Sequence, residues 1–238
     1  MNIIHNLKKI VESITGYWIY KRRHLPNGID LIIDLEKMDF KIDVIFDVGA
    51  NEGQSLKYFK KHFPTATVYS FEPVKSTFDL LYRMNQNFKN VLFENIGFGS
   101  KKETAQIFIE DHSTWNSIIP TENSTKTETI ELSTIDSYVF EKDIRSISIL
   151  KTDTEGFDLA VLKGAQRTLS ENRISLIYVE IGLYAEDKRH SHLFDIVKYL
   201  EKFGYFFHAL YDYRGYGIGN YGNALFVNKN LTSQQKVI

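Results

Sequence analysis

The chain has 238 residues, enough for one α/β domain with a sizeable core, and 43% of them are hydrophobic. Its 29 Lys and Arg against 30 Asp and Glu give a net charge of -1, so no basic field points to RNA or DNA as a partner. The absence of cysteine excludes disulfides and thiolate metal sites, and charges interrupt every apolar run near the N-terminus, so a cytoplasmic enzyme is expected.

Ile3, Leu7, Ile10, Val11, Ile14 and Trp18 recur at helical spacing, with Lys8, Lys9 and Glu12 between them and Lys21-Arg22-Arg23 after them. Residues 1–27 therefore read as an amphipathic helix and linker ahead of a domain over 28–238. The helix is expected to cover the domain's own core or a homo-oligomer face. Contact with a membrane surface is the less favoured alternative.

From residue 43 the pattern alternates strand and helix. Strands are expected at Val44–Val48, Val68–Phe71 and Val91–Ile96, with helices at Ser55–His62 and near Thr77–Asn87. The alternation then breaks. Thr104–Glu110 and Thr127–Leu132 read as a hairpin-like insertion around a polar segment, Asp111–Thr125, in which His112 and Trp115 are candidate acceptor contacts. It resumes with a strand at Ile147–Lys151, a helix from Phe157 through Leu169, a strand at Ser175–Ile181 and a helix at Leu193–Phe203. Strands at Tyr205–Leu210 and Ala224–Val227, joined by a glycine-rich loop, should close the sheet as an antiparallel pair. The whole is a doubly wound, mostly parallel α/β sheet with an antiparallel late strand.

The first strand enters the series Asp47-x-Gly49-x-Asn51-x-Gly53, and the second ends at Glu72-Pro73 about twenty residues on. That spacing sets a carboxylate against a ribose. A dinucleotide fingerprint needs glycine where Asn51 stands, so that backbone can approach a pyrophosphate. The loop suits S-adenosylmethionine better, with Glu72 accepting hydrogen bonds from the ribose hydroxyls. An NAD-dependent oxidoreductase is the alternative.

Two later strands also end in acid, at Asp153 and at Glu180. In a doubly wound sheet they should converge beside the first loop, which makes them the candidate catalytic pair. An alkyl hydroxyl is a poor nucleophile at neutral pH. One carboxylate could take its proton, or Asp153 and Glu180 together could hold a divalent metal ion that lowers its pKa. Glu155 is accounted for by a capping box with Thr152, and His190 and His192 read as solvated loop residues.

These motifs, together with Val161-Leu162-Lys163-Gly164-Ala165 and Asn223-Ala224-Leu225-Phe226-Val227, resemble the FkbM-type S-adenosylmethionine-dependent methyltransferases over roughly residues 28 to 228. The resemblance implies a class I (Rossmann-like) methyltransferase fold of seven strands and methyl transfer to an oxygen. It implies that Asp47, Gly49, Asn51 and Gly53 line the methionine and ribose side, with Glu72 and Pro73 at the ribose. Asn95, Ile96 and Gly97 would lie by the adenine, and Asp153 would face the reaction centre. Thr154 stands where the family usually has a bulkier aliphatic residue. A sugar or nucleotide-sugar acceptor is expected from family habit and from Tyr211, Tyr213, Tyr216 and Tyr221. A non-catalytic adenosyl-ligand binding module is a further alternative.

Overall fold

The structure, a computed structural model, describes residues 3–109, 116–119, 126–184, 187, 189–214 and 220–232. His112, Trp115 and Tyr216 lie outside them. Two compact units divide the chain, one ending at Asp39 and the other starting at Phe40.

The first unit holds helix α1 (Ile3–Thr15), a helical turn at Arg22–His24 and helix α2 (Leu31–Met38). Asp30 caps α2 by accepting from the Ile33 amide at 3.0 Å. Asp39, in the left-handed region at φ 57°, ends it. The buried Asp34 carboxylate ties the unit together, taking the Gly28 amide at 2.7 Å and the Lys37 ammonium at 2.8 Å.

The second unit is built on a seven-stranded sheet. Its strands are β1 (Val44–Val48), β2 (Thr67–Phe71), β3 (Val91–Glu94), β7 (Ile147–Thr152), β8 (Ile174–Gly182), β9 (Tyr205–Arg214) and β10 (Tyr221–Asn228). Their order is β3-β2-β1-β7-β8-β10-β9, and β10 runs antiparallel to both neighbours while the other pairs are parallel. The expected antiparallel late strand is thus β10. Because the chain winds outward from β1 to β3 and then returns to place β7 on the other side of β1, the C-terminal ends of β1 and β7 flank a switch point. That is where an open α/β sheet leaves a crevice.

Strand register shows why the central strands are apolar on both faces. Phe46, Leu150 and Ile177 stand in one row and join a core that includes residues of α5 (Ile135–Glu141), α6 (Asp158–Lys163), α7 (Gln166–Ser170) and α8 (Leu193–Leu200). Ile45, Ile149 and Leu176 form the alternate row, which points to the opposite face and is equally buried. Helices α3 (Gln54–His62) and α4 (Lys75–Asn85) contribute buried Leu56, Phe59 and Leu81.

A second, three-stranded sheet accounts for the break in alternation. Strand β3 stops at Glu94 rather than Ile96, and Gly97–Phe98 cross over as β4 to pair with β6 (Lys126–Ser133), which pairs antiparallel with β5 (Glu103–Ile109). The insertion is therefore a hairpin, as expected, but with β4 added to it. Phe98 joins the two sheets: its ring meets Phe71 edge-on at 4.7 Å, and Phe71 meets Tyr138 of α5 at 5.0 Å.

The helix expected over Phe157–Leu169 is two short helices, α6 and α7. Asp136 of α5 causes the break. Its amide takes the Gly164 carbonyl at 3.0 Å, and its carboxylate accepts from the amides of Arg167 and Thr168, both at 2.8 Å. A side chain from another helix thus caps α7. Helix α5 itself is missing from the sequence pattern; Thr134 caps it through the Ser137 amide at 3.1 Å.

Phe71 is fully buried and sits between both sheets and α5. Phe71→Ala is expected to cost ~3–5 kcal/mol, read from urea denaturation, and Phe71→Leu far less. Equal losses in both would mean that ring geometry, and not buried volume, sets the stability there.

Candidate active site

A cleft of about 290 Å³ opens at the switch point. Its floor is the β1–α3 loop with Gly49, Ala50, Asn51, Gln54 and Ser55. Glu72, Pro73, Ile96 and Gly97 form one side, and Lys151, Asp153, Thr154, Glu155 and Phe157 form another. Ile107, Ile118, Ile130 and Leu132, contributed by the small sheet and the 116–119 segment, complete an apolar wall.

The loop is shaped by two close approaches. Gly49 has φ 73°, and a Cβ there would fall 1.9 Å from the Asp153 carbonyl oxygen. Only glycine lets β1 turn so near the end of β7. Asn51 is also left-handed, at φ 47°, and its Oδ1 accepts from the Glu52 amide at 2.8 Å, which holds the turn from within.

Beneath the loop lies a buried ion pair. Lys151 Nζ meets Asp47 Oδ1 at 3.0 Å and Asp153 Oδ2 at 3.5 Å, and it donates to the Gly49 carbonyl at 2.8 Å. Among the described residues, Asp47 Oδ2 has no hydrogen-bond partner. Burial pushes the Asp47 carboxyl up, against the pull of Lys151. Burial also works against the Lys151 charge, but Asp47 and Asp153 outweigh it and hold the ammonium above its ordinary value.

Glu72 closes the other side. Its two oxygens accept from the Asn51 and Val74 amides, each at 3.0 Å, and burial pushes it up to about 7 although both amides and Lys151 lower it. Each oxygen keeps a lone pair for a further donor. Asn95 does not line the cleft. Its side-chain amide holds the Glu72 and Pro73 carbonyls at 2.8 and 2.9 Å and so fixes the strand end.

Of the eleven residues the sequence predicts here, Gly49, Asn51, Glu72, Pro73, Ile96, Gly97 and Asp153 line the cleft. Asp47 lies under it. Gly53 lies behind it at φ 93°, where a Cβ would meet Asn85 Nδ2 at 2.6 Å, so glycine is there for helix packing. Glu180 does not line it either.

Glu180 belongs to an adjoining cluster with Glu155 and His190, whose ligand atoms all lie within 4.8 Å of one another. Asp153, the other half of the expected metal pair, is not in that group. Glu155 sits in a left-handed turn at φ 50°, and α6 begins only at Asp158, so the capping box with Thr152 does not form. Instead Glu155 pairs with Arg189 at 3.0 Å. Burial and Asp153 push it up to about 7, against Arg189. Burial and the neighbouring Asp153, Asp158 and Glu155 push Glu180 far above the usual carboxylate range. Asp158, buried and beside Asp153, is pushed up to about 6.

His190 is a second correction. It is nine-tenths buried, stacks on Tyr221 with ring centroids 4.6 Å apart, and meets Asp187 Oδ2 through Nδ1 at 2.7 Å, with Nε2 3.7 Å from Glu180 Oε2. His192 precedes α8 and packs against Phe194. Of the tyrosines expected to meet a sugar, Tyr211 is buried edge-on against Tyr178, and Tyr213 is exposed with its hydroxyl on Asn220.

The family model described as the methyltransferase FkbM domain matches residues 47–207, which contain the cleft and both clusters. The chain belongs to the FkbM methyltransferase family. Hexuronic acid methyltransferase AglP of Haloferax volcanii is 26% identical over 180 residues, covering 74% of this chain and 72% of that protein. Methyltransferase 1 of Beauveria bassiana is 24% identical over 142 residues, 50% of this chain and 57% of its own length. Among solved structures, M. capricolum TrmK in complex with S-adenosyl-homocysteine superposes with a TM-score of 0.50 at 10% identity, over 85% of this chain and 70% of that one. The seven-stranded sheet is thus a class I methyltransferase fold, and this FkbM protein is a methyltransferase enzyme that uses S-adenosylmethionine. The dinucleotide reading falls with that membership, as does the non-catalytic one. Among the described residues, no helix is long and apolar enough to cross a membrane.

The Asp47–Lys151 pair gives a stability test. Lys151→Met leaves Asp47 buried without its cation and should cost ~3–5 kcal/mol in urea denaturation. Adding Asp47→Asn to it should recover most of that loss; a double variant as weak as the single one would mean that Lys151 acts through the Gly49 carbonyl instead.

Proposed function

We propose that this FkbM methyltransferase methylates a hydroxyl oxygen of a sugar or nucleotide sugar. The observation that carries the reading is the meeting, in one cleft, of the Glu72 strand end with the carboxylates of Asp153 and Glu155. The sugar class is supported by the likeness to a relative named for hexuronic acid methylation.

The residues present fit the cofactor. Glu72 has acceptor capacity for two ribose hydroxyls, Pro73, Ile96 and Gly97 give an apolar seat on the adenine side, and Gly49 and Asn51 bring the loop backbone to the methionine side. Bound there, S-adenosylmethionine supplies an electrophilic methyl group on a sulfonium.

The protein's part is orientation and proton removal. Asp153, the more open carboxylate with 38% of its side chain exposed, accepts the hydroxyl hydrogen bond and aims the oxygen. Glu155, titrating near 7, takes the proton. Glu180 keeps its own proton at neutral pH and supports Asp153 from behind. The catalytic role expected of Glu180 therefore passes to Glu155.

Calorimetric titration of S-adenosylhomocysteine should give clear binding to the wild type, weakened about tenfold or more in Glu72→Ala, with no heat from NAD. Asp153→Asn should bind equally well while its turnover falls by roughly 10²–10⁴. Unchanged turnover would remove Asp153 from the mechanism.

The pH profile tests Glu155. Its ionised form is the base, so kcat at saturating cofactor should rise as pH passes upward through about 7. Glu155→Gln should lower kcat and lose that limb. If the limb persists in the variant, another group is the base.

A second reading has its own observation. Asp187 fixes the His190 ring and leaves Nε2 facing Glu180, as a second-shell carboxylate orients a metal-binding imidazole. A divalent ion held by Glu155, Glu180 and His190 would then acidify the hydroxyl. Activity abolished by a chelator and restored by Mg²⁺ or Mn²⁺ would favour it; activity indifferent to chelation would leave the carboxylate base.

A further inference from the structure

Among the described residues of the N-terminal unit, helix α1 presents an exposed apolar stripe. Leu7, Ile10 and Ile14 are 62, 55 and 79% exposed, and Trp18 beyond the helix is 79% exposed. Within the N-terminal unit the chain that could have covered this stripe packs on the other side. After Gly16 it folds back along the polar row, where the Ile19 amide donates to Glu12 Oε1 at 2.8 Å and the Lys8 ammonium lies 5.2 Å from the Tyr20 ring. Lys8 and Glu12, one turn apart, pair at 3.5 Å in the same row. Lys8 and Glu12 are thus partnered within the unit, and the apolar face is open.

Charge identifies the partner. The first 25 residues hold five Lys and Arg (Lys8, Lys9, Lys21, Arg22, Arg23) against Glu12 alone, while the whole chain has 29 against 30. Residues 26–238 hold 24 against 29, so the charge of the first 25 residues is opposite in sign to that of the rest. Exposed Tyr17 and Trp18 follow the helix directly. An apolar stripe, interfacial aromatic residues and a basic cluster together match a headgroup layer of negative charge, whereas a second copy of this segment would bring like charges together.

We propose that α1 lies in the plane of an anionic lipid surface, with Leu7, Ile10, Ile14 and Trp18 at the acyl boundary and Lys21 and Arg23 on the headgroups, Arg22 being paired with Glu36 at 2.8 Å. A 13-residue helix is too short to span a bilayer and long enough to lie on one.

The test is flotation of the full chain with vesicles of phosphatidylcholine alone and of phosphatidylcholine with phosphatidylserine. Binding to the phosphatidylserine vesicles is expected, weakened by salt, with a blue shift of tryptophan emission that Trp18→Phe removes. Ile10→Asp with Ile14→Asp should abolish it. Lys21→Gln and Arg23→Gln should each weaken it about fivefold. Circular dichroism and cofactor binding should stay unchanged, since these residues lie outside the cleft. Failure to float with either vesicle would overturn the proposal, as would equal flotation of the Asp variants. A concentration-dependent dimer that the Asp variants disrupt would assign the stripe to a second copy instead.

Discussion

A lysine ammonium taken out of water on a central strand has to be met by negative charge and by carbonyl oxygen, and Lys151 is met by both. Asp47 supplies the first from β1 and Gly49 the second from the turn that follows. The pair is costly to bury, and replacing such pairs with apolar groups is often neutral for stability. Its value here is positional. One ammonium binds the end of β1, the start of the cofactor loop and, through Asp153, the end of β7. The Gly49 turn can approach the Asp153 carbonyl because this cross-link draws the two strand ends together and because no side chain stands between them.

Electrostatic crowding follows from the same topology. Parallel strands deliver their C-termini to one edge, so the acids that end β7 and β8 meet there whether or not they repel. Asp153, Glu155, Asp158 and Glu180 gather around Lys151 and Arg189, and carboxylates outnumber cations. The crowding favours protonated carboxyls: Glu180 is pushed far above the usual carboxylate range, and Glu155 up to about 7. A positively charged cofactor entering the cleft relieves it in a second way. The sulfonium and the raised carboxylates are therefore complementary, and the proton removed from an acceptor has a nearby place to go.

Much of this was legible in the sequence because it depends on period and spacing. Alternating apolar strands, acidic strand ends and the twenty-residue interval from loop to Glu72 are local facts, and they give the sheet, the crevice and seven of the residues that line it. What escaped detection depends on contacts between distant segments. Helix α5 was missed because its seven residues, Ile135–Glu141, are too short to show a helical period. The break between α6 and α7 comes from Asp136, which the helix's own sequence does not contain. His190 looked like a loop residue because its neighbours are polar; its burial comes from Tyr221 on another strand. Lys151 left a signal that could have been used, since a charged residue inside the run Ile149-Leu150-Lys151 requires a buried partner.

Under the proposed mechanism, the small sheet would couple acceptor choice to proton removal. Its strands supply the apolar wall of the cleft, with Ile107, Ile130 and Leu132 facing the cofactor loop across it. The 116–119 segment returns to this sheet through a two-way backbone pairing of Ser117 with Phe108, at 2.9 and 3.2 Å. From there Ser117 Oγ donates to the Glu155 carbonyl at 2.9 Å. The turn that sets the Glu155 carboxyl is thereby latched to the wall an acceptor would touch. A shift of the insertion moves the backbone of Glu155 as well. Changes in this sheet should therefore act on specificity and on turnover together, even where the altered side chain is far from the reacting oxygen.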